Sequence, residues 1–335
     1  MKRSYYLFNP GRMSRKDNTL FFIATDDDGN EVSKKALPIE TISDLFVFGS
    51  VDANSALYNF LGKEHIAVHF FDYYEHYSGS FMPKDYLLAG KMQMEQTKSY
   101  LSDTRRIGIA QSFIEGASFN MLKNLRYYDR RGRDIEPIIE QIETYRKSIP
   151  LSKNVQELMG LEGNCRHAYY TAFDLIINDF EMGNRSKQLP SNEVNALMSF
   201  ANMMCYTTVL GQIYHSQLNP TISFLHEPGA RRYSLALDIA EVFKPLLVDR
   251  MLFKLFNKKE IRAEHFDTNL NGCRLNDVGR KIVVKEWDER LRDTIEHRSL
   301  KKKVSYKHLI KLECYKLQKH IIGIDATYKP FKIYW

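Results

Sequence analysis

The stretch "FMPKDY", Phe81–Tyr86, divides the chain into two patterns. Before it, short runs rich in aromatic and β-branched residues alternate with turn signals. "YYLFN" from Tyr5, "TLFFIAT" from Thr19, "SDLFVFG" from Ser43 and "HIAVHFFD" from His65 read as strands. Asn9-Pro10-Gly11, Asp28-Gly29-Asn30 and Gly62 read as turns, and the acidic triplet Asp26–Asp28 belongs to the second of them. One short helical stretch, "DANSALYNFL", intervenes at 52–61. After Pro83 the periodicity becomes almost wholly helical. The expectation is an α+β chain. A β-rich domain spans 1–85, and a larger all-α domain spans 86–335. The aromatic strands of the first need covered edges, which suits a dimer.

A chain of 335 residues can bury a sizeable core. It contains no apolar run of about 18 residues, so no membrane-spanning helix is expected. Lys2 and Arg3 open the chain with no apolar segment behind them, so no secretory signal is expected. Cys165, Cys205, Cys273 and Cys314 are scattered without a CxxC pair and read as reduced, buried thiols. Cytoplasm is the expected compartment.

Within the helical part, "SFLHEPGARRYSLALDIAEVFKP" runs from Ser223 to Pro245. Leu235, Ile239, Val242 and Leu246 line one helical face, with Ser234 as N-cap and Pro245 near the end. At about 100° per residue, Asp238 falls at the buried edge of that stripe and Glu241 on its shoulder. Two neighbouring carboxylates require a counter-charge. Arg231 and Arg232 are the nearest in sequence. The bland alternative is a solvated acidic shoulder, with His226 as a hydrogen-bonded turn histidine.

A second helix, "VQELMGLEGNCRHAYYTAFDLI", sets Val155, Leu158, Met159, Cys165, Tyr169, Phe173 and Ile176 on one stripe. Glu162 lies inside it. A carboxylate on an apolar face is costly unless it is paired or ligating. Arg166, one turn on, is the obvious partner for a buried salt bridge. Gly160 and Gly163 weaken this helix, which is tolerable where another backbone or a ligand must come close.

Glu162, His226 and Glu241, with Asp238 beside them, make an oxygen-rich set with one imidazole. Such a set suits Mg²⁺ or Mn²⁺, and Mn²⁺ accepts the imidazole better. No second His or Cys stands at a zinc-ligand spacing, and "LHEP" is not HExxH.

Three segments carry a family resemblance: "LEGNCRHAYY", "LPSNEVNALMSFANMMCYTTVLGQIYHSQLNPTISFLHEP" and "RRYSLALDIAEVFKP". The chain resembles the CRISPR-associated integrase/endonuclease family of the adaptation stage, in which spacers are acquired. "YYLFNPGRMSRKDNTLFF" is similar to its type I-B branch. The resemblance implies that Glu162, His226 and Glu241 are metal ligands and that Asp238 is a further acid of the same site. It implies insertion of short foreign DNA into a CRISPR array by transesterification. It also implies three partners: double-stranded DNA (prespacer and repeat), a second copy of the chain, and a small ferredoxin-like adaptation protein. Two departures are small. Glu241 stands where some branches carry Asp, and Asn192-Glu193 where others more often carry Asp-Pro.

The net charge of +7 comes from the end of the chain. Residues 251–335 hold 20 Lys+Arg against 11 Asp+Glu, which is +9, and the first 250 hold 28 against 30. "RSLKKK", with Lys301, Lys302 and Lys303, is the densest run and precedes a helix lined by Ile310, Cys314, Leu317 and Ile321. A second cluster is Lys123, Arg126, Arg130, Arg131 and Arg133, interleaved with Tyr127 and Tyr128. With Arg166, Arg231 and Arg232, these are the candidate DNA contacts. A basic run alone is usually a solvated surface. Beside a carboxylate metal site it points to chemistry on a phosphodiester. Two rival readings stand: a stand-alone metal-dependent nuclease on branched or single-stranded DNA, and a non-catalytic DNA-binding scaffold whose acids are only salt-bridged.

Overall fold

The computed structural model describes residues 2–334 except 27, 73, 85, 86, 88, 184–189, 230–232, 270 and 271. The chain forms two compact units, Met1–Leu87 and Leu88–Trp335.

The first unit holds β1 (Arg3–Leu7), β2 (Gly11–Lys16), β3 (Thr19–Thr25), β4 (Glu31–Pro38), β5 (Ile42–Val47), β6 (Val51–Asp52), α1 (Ser55–Lys63), β7 (Ala67–Phe71) and β8 (Tyr77–Phe81). One sheet runs β1-β5-β7-β8 and the other β4-β3-β2-β6. In the first sheet β1, β5 and β7 are parallel and β8 is antiparallel. Leu20, Phe22 and Ala24 alternate inward along β3 and meet Tyr5, Leu7, Leu45 and Val68 in a shared core. Four strands carry too little apolar alternation for a periodicity reading: β2, β4, β6 and β8. In β4 only Leu37 is buried, because it is an edge strand with water on its outer side. Gly62, read as a turn, lies inside α1, and the chain turns just beyond it at His65, whose φ is 56°. The Asp26 side chain closes its turn as expected, accepting from the amides of Asp28 (3.1 Å) and Asn30 (2.8 Å).

The second unit is helical: α2 (Gly90–Leu101), α3 (Asp103–Asp129), α4 (Glu136–Ser148), α5 (Val155–Thr171), α6 (Phe173–Ile176), α7 (Glu193–Tyr214), α8 (Ser234–Lys244) and α9 (Arg250–Asn257) come first. β9 (Phe266–Asn269), β10 (Gly272–Leu275), α10 (Asp277–Arg292), β11 (Thr294–His297), β12 (Lys302–Ser305) and α11 (Tyr306–Ile321) follow. The strands make two antiparallel hairpins, an addition to the helical reading. They are four residues per strand, too short to break a helical pattern in sequence. α7 is apolar on nearly every side and is buried accordingly. α8 packs on α3 and α7, while α5 packs on α3 and α4. The long helix α3 therefore touches both helices that carry the candidate acids.

Candidate active site

α5 begins at Asn154, whose side chain accepts from the Glu157 amide at 2.8 Å. Of its apolar stripe, Val155, Leu158, Cys165 and Tyr169 are buried and Met159 is half-buried, while Phe173 and Ile176 continue it on α6, because the helix breaks at Ala172. Glu162 stays partly open to solvent, its side chain 17% exposed. A Cβ at Gly160 or Gly163 would meet nothing within 4 Å, so no protein backbone presses on this part of the helix. Both glycines are exposed, so the sequence expectation of a close approach has no counterpart among the described residues.

α8 ends at Pro245 as read and differs from its sequence reading at its start. Ser234 is the first helical residue rather than a side-chain cap. Its hydroxyl bonds Ser223 Oγ at 2.8 Å and the Thr221 carbonyl at 3.1 Å, and so ties the preceding loop to the helix. Pro245 ends the regular helix and opens a π-turn over Pro245–Asp249. Asp238 and Glu241 are both buried, because neighbouring helices cover the side that the apolar stripe alone would leave exposed.

The counter-charges are identifiable. Arg166 Nε donates to Glu162 Oε1 at 2.6 Å, and its Nη2 donates to Glu241 Oε2. Lys244 Nζ donates to Glu241 Oε1 at 2.6 Å. Two carboxylates from different helices thus converge on one guanidinium. Arg166, a candidate DNA contact in sequence, is turned inward onto these acids, because buried carboxylates need cationic partners. Burial works against the charge of Arg166, but Glu241, Tyr170 and Glu162 outweigh it and hold the guanidinium well above its ordinary range. Burial likewise opposes ionisation of Glu241, and Arg166 and Lys244 reverse this, holding its carboxyl below the usual range. Arg231 and Arg232 lie outside the described residues.

Asp238 organises the loop. Its Oδ2 accepts from the amides of Phe224 (2.7 Å) and Leu225 (3.0 Å). Its Oδ1 accepts from the His226 amide at 3.0 Å and sits 2.8 Å from His226 Nδ1. This fixes the imidazole and leaves Nε2 as the ring nitrogen that can ligate. Burial lowers the proton affinity of His226, but the hydrogen bond and charge of Asp238, with Glu241, raise it on balance.

Sequence reasoning missed three residues here. Gln96 on α2, fully buried, donates to the carbonyls of Asn219 (3.0 Å) and Ile222 (2.7 Å) and accepts from the Asn219 amide. Arg106 on α3 donates to the Phe224 carbonyl at 3.1 Å and pairs with Glu227 at 2.5 Å. Both brace the histidine loop from more than a hundred positions away, so no local signal existed. Lys244 was legible, as the i+3 neighbour of Glu241.

The donor set fits a divalent cation: two carboxylates, one positioned imidazole, and a place where a positive group is already held between the acids. Among the described residues no three His, Cys, Asp or Glu side chains are gathered as closely as a metal shell. Arg166 spaces Glu162 from Glu241.

The other basic residues lie elsewhere. Lys301, Lys302 and Lys303 are exposed at the turn and first strand residues of the β11–β12 hairpin. In the second cluster Arg126 pairs with Glu143, Arg133 bonds Asn178 at 2.7 Å, and Arg131 lies 4.3 Å from the centre of the Tyr127 ring. All four cysteines are free and buried. Among the described residues no helix is long and apolar enough to cross a membrane.

Solved structures share this architecture. A Cas1 protein from Thermotoga maritima matches with a TM-score of 0.86 and 38% identity, covering 97% of this chain and 98% of that one. A casposase bound to integration product matches with a TM-score of 0.88 at 18% identity over 99% of this chain and 94% of that chain, a likeness of fold. The fold is therefore the one these two proteins have in common. Residues 5–289 match the family described as CRISPR associated protein Cas1, and the chain belongs to that family. The CRISPR-associated endonuclease Cas1 of Fusobacterium nucleatum subsp. nucleatum is 45% identical over 100% of this chain and 98% of its own length. One from Thermodesulfovibrio yellowstonii is 46% identical over 99% of this chain and 100% of its own length.

Proposed function

We propose that this chain is a metal-dependent DNA endonuclease and integrase that inserts short foreign DNA into a CRISPR array. The observation that carries the reading is the convergence of Glu162 and Glu241, from separate helices, on a single cationic group, beside an imidazole positioned by Asp238. Glu162, His226 Nε2 and Glu241 are the ligands of Mn²⁺ or Mg²⁺, and Asp238 holds the histidine and its loop. When bound, the cation supplies Lewis acidity to a phosphodiester oxygen. Arg166 then exchanges one or both of its carboxylates for the phosphate. The exposed lysines of the hairpin turn and the arginines at the end of α3 hold the DNA backbone. A DNA 3′-OH attacks phosphorus in line, its proton passing to solvent or base. The leaving 3′-oxygen departs with its bonding electrons, so one phosphodiester replaces another.

The same reading includes double-stranded DNA substrates, a homodimer, a small ferredoxin-like adaptation partner, the type I-B branch and a cytoplasmic setting. Its support is the family membership together with the sequence resemblance. The test is a duplex carrying a pre-formed 3′-OH end, incubated with a repeat-containing duplex and Mn²⁺. Strand joining lost in Glu162→Ala and in His226→Ala, with the fold retained by circular dichroism, is the expected result. Cutting without joining points instead to a stand-alone nuclease. Full activity in Glu162→Ala overturns the site, and DNA affinity with no Mn²⁺ binding leaves a scaffold.

A further inference from the structure

The helix behind the site carries a polar stripe where an apolar one is expected. On α3, Gly116, Asn120 and Asn124 stand at spacings of four and share one face. Both asparagines are buried, at 0% and 1% exposure. Buried amides are costly unless fully bonded, and Asn124 Oδ1 has no partner among the described residues, so apolar side chains would pack the same space at less cost.

Their partners are the elements that carry the ligands. Asn120 Nδ2 donates to the Val242 carbonyl at 2.9 Å, and Val242 directly follows Glu241. Asn124 Nδ2 donates to the Pro245 carbonyl at 2.6 Å and to the Tyr169 hydroxyl at 2.9 Å. Tyr169 lies on α5, seven residues and so two turns beyond Glu162. One side chain therefore bonds both ligand-bearing helices. It does so where Pro245, lacking an N–H, and the π-turn interrupt the regular ladder of α8. Asn120 extends the junction to the end of the chain. It donates to the Phe331 carbonyl at 3.1 Å and accepts from the Ile333 amide at 3.0 Å. The same tail passes Gly116 so closely that a Cβ there would lie 2.8 Å from Pro330.

We infer that Asn124, supported by Asn120, is a positioning residue that sets the relation of Glu241 to Glu162 and thereby the affinity of the site for its cation. The inference rests on the metal-site reading above. Neither asparagine touches the ligands; each acts through the backbone of α8 and, for Asn124, through Tyr169.

The experiment is calorimetric titration of MnCl₂ into the full-length wild type, Asn124→Leu, Tyr169→Phe and the double variant, at a temperature where each is folded. Asn124→Leu is expected to weaken Mn²⁺ binding by about 10- to 100-fold, the range for removing an outer hydrogen-bond partner of a ligand. Tyr169→Phe removes one of the same bonds and is expected to weaken it less. The double variant should show less than the product of the two effects. Leu317→Ala, a cavity in α11, a helix that carries none of the three proposed ligands, lowers the melting temperature but leaves the Mn²⁺ Kd unchanged. Wild-type affinity in Asn124→Leu, or in Tyr169→Phe if the first variant does not fold, overturns the inference while leaving the site intact. A parallel weakening in Leu317→Ala overturns it as well, because general loosening would then account for the effect. Absence of Mn²⁺ binding in the wild type overturns the metal reading, and this inference with it.

Discussion

The helices that carry Glu162 and Glu241 share a local design and differ in their surroundings. α5 pairs Glu162 with Arg166 one turn on, and α8 pairs Glu241 with Lys244. α8 is enclosed by α3 and α7, and Glu241 is 5% exposed. α5 keeps Glu162 partly open, with vacant space over both of its glycines. One wall of the site is thus buried, and the other is partly open. Glu241 is enclosed with two cationic partners, Arg166 and Lys244, and Glu162 meets Arg166 on the open side.

The substitution that strains this contrast most is Glu241→Gln against Glu162→Gln. Removing the Glu241 charge leaves Lys244 and part of Arg166 buried without a counter-charge, which costs about 3–5 kcal/mol of stability. Mn²⁺ binding should be abolished as well. Glu162→Gln leaves Arg166 bonded to Glu241, so binding is abolished while the urea midpoint moves far less. Equal midpoints for the two variants would break the distinction between the walls. The sign with pH follows from the depressed carboxyl of Glu241. Its stabilisation is present above the ordinary carboxylate range and is lost as pH falls through the depressed value. Glu241→Gln should therefore flatten the acid limb of the wild-type stability profile.

Asp238→Asn probes the link between the walls, the histidine loop. It weakens an acceptor of three backbone amides and one imidazole. The expected cost is about 1–3 kcal/mol in stability. Mn²⁺ affinity should fall by about 10- to 100-fold, less than for Glu241→Gln. Turnover should suffer more than metal binding. The raised proton affinity of His226 fixes the pH direction. The stabilising Asp238–His226 pair is complete below the ordinary imidazole value of 6.5 and is lost as pH rises through the raised one. Metal binding needs the neutral ring, so Mn²⁺ affinity falls as pH drops below that raised value. In Asp238→Asn this fall should move to lower pH. A wild-type pH profile in the variant would show that Asp238 does not set the imidazole.

Neutralising Lys301, Lys302 and Lys303 together should weaken duplex binding and leave the intrinsic chemistry unchanged. The slope of log affinity against log salt should drop by about 0.9 for each DNA phosphate no longer neutralised. An unchanged slope would mark the hairpin turn as solvated surface only. The smallest effect is expected of Gly163→Ala on the open wall, where a methyl group meets vacant space. Helix propensity alone predicts a gain of about 1 kcal/mol, seen as a higher melting temperature. A simultaneous rise in the Kd for DNA would show that substrate passes over this turn, and an unchanged Kd that it does not.

What local sequence determined is what local periodicity encodes. The apolar stripes placed α5 and α8 and set Asp238 and Glu241 on one side of their helix, since a 3.6-residue repeat is a property of the chain itself. The ion pair of Glu162 with Arg166 was legible for the same reason, being one turn long. The edge strand β4 was not, because water covers most of it and leaves no apolar alternation to read. Nor was the sharing of Arg166 with Glu241 across 75 positions, or the bracing of the histidine loop by Gln96 and Arg106. Those long-range bonds leave no local signature, and only the packing of α8 against its neighbours decides which charge a buried carboxylate meets. Asp238 shows the division within one residue. Its position on the helix follows from spacing, while its bonds to three amides and an imidazole exist only once the loop has folded back onto α8.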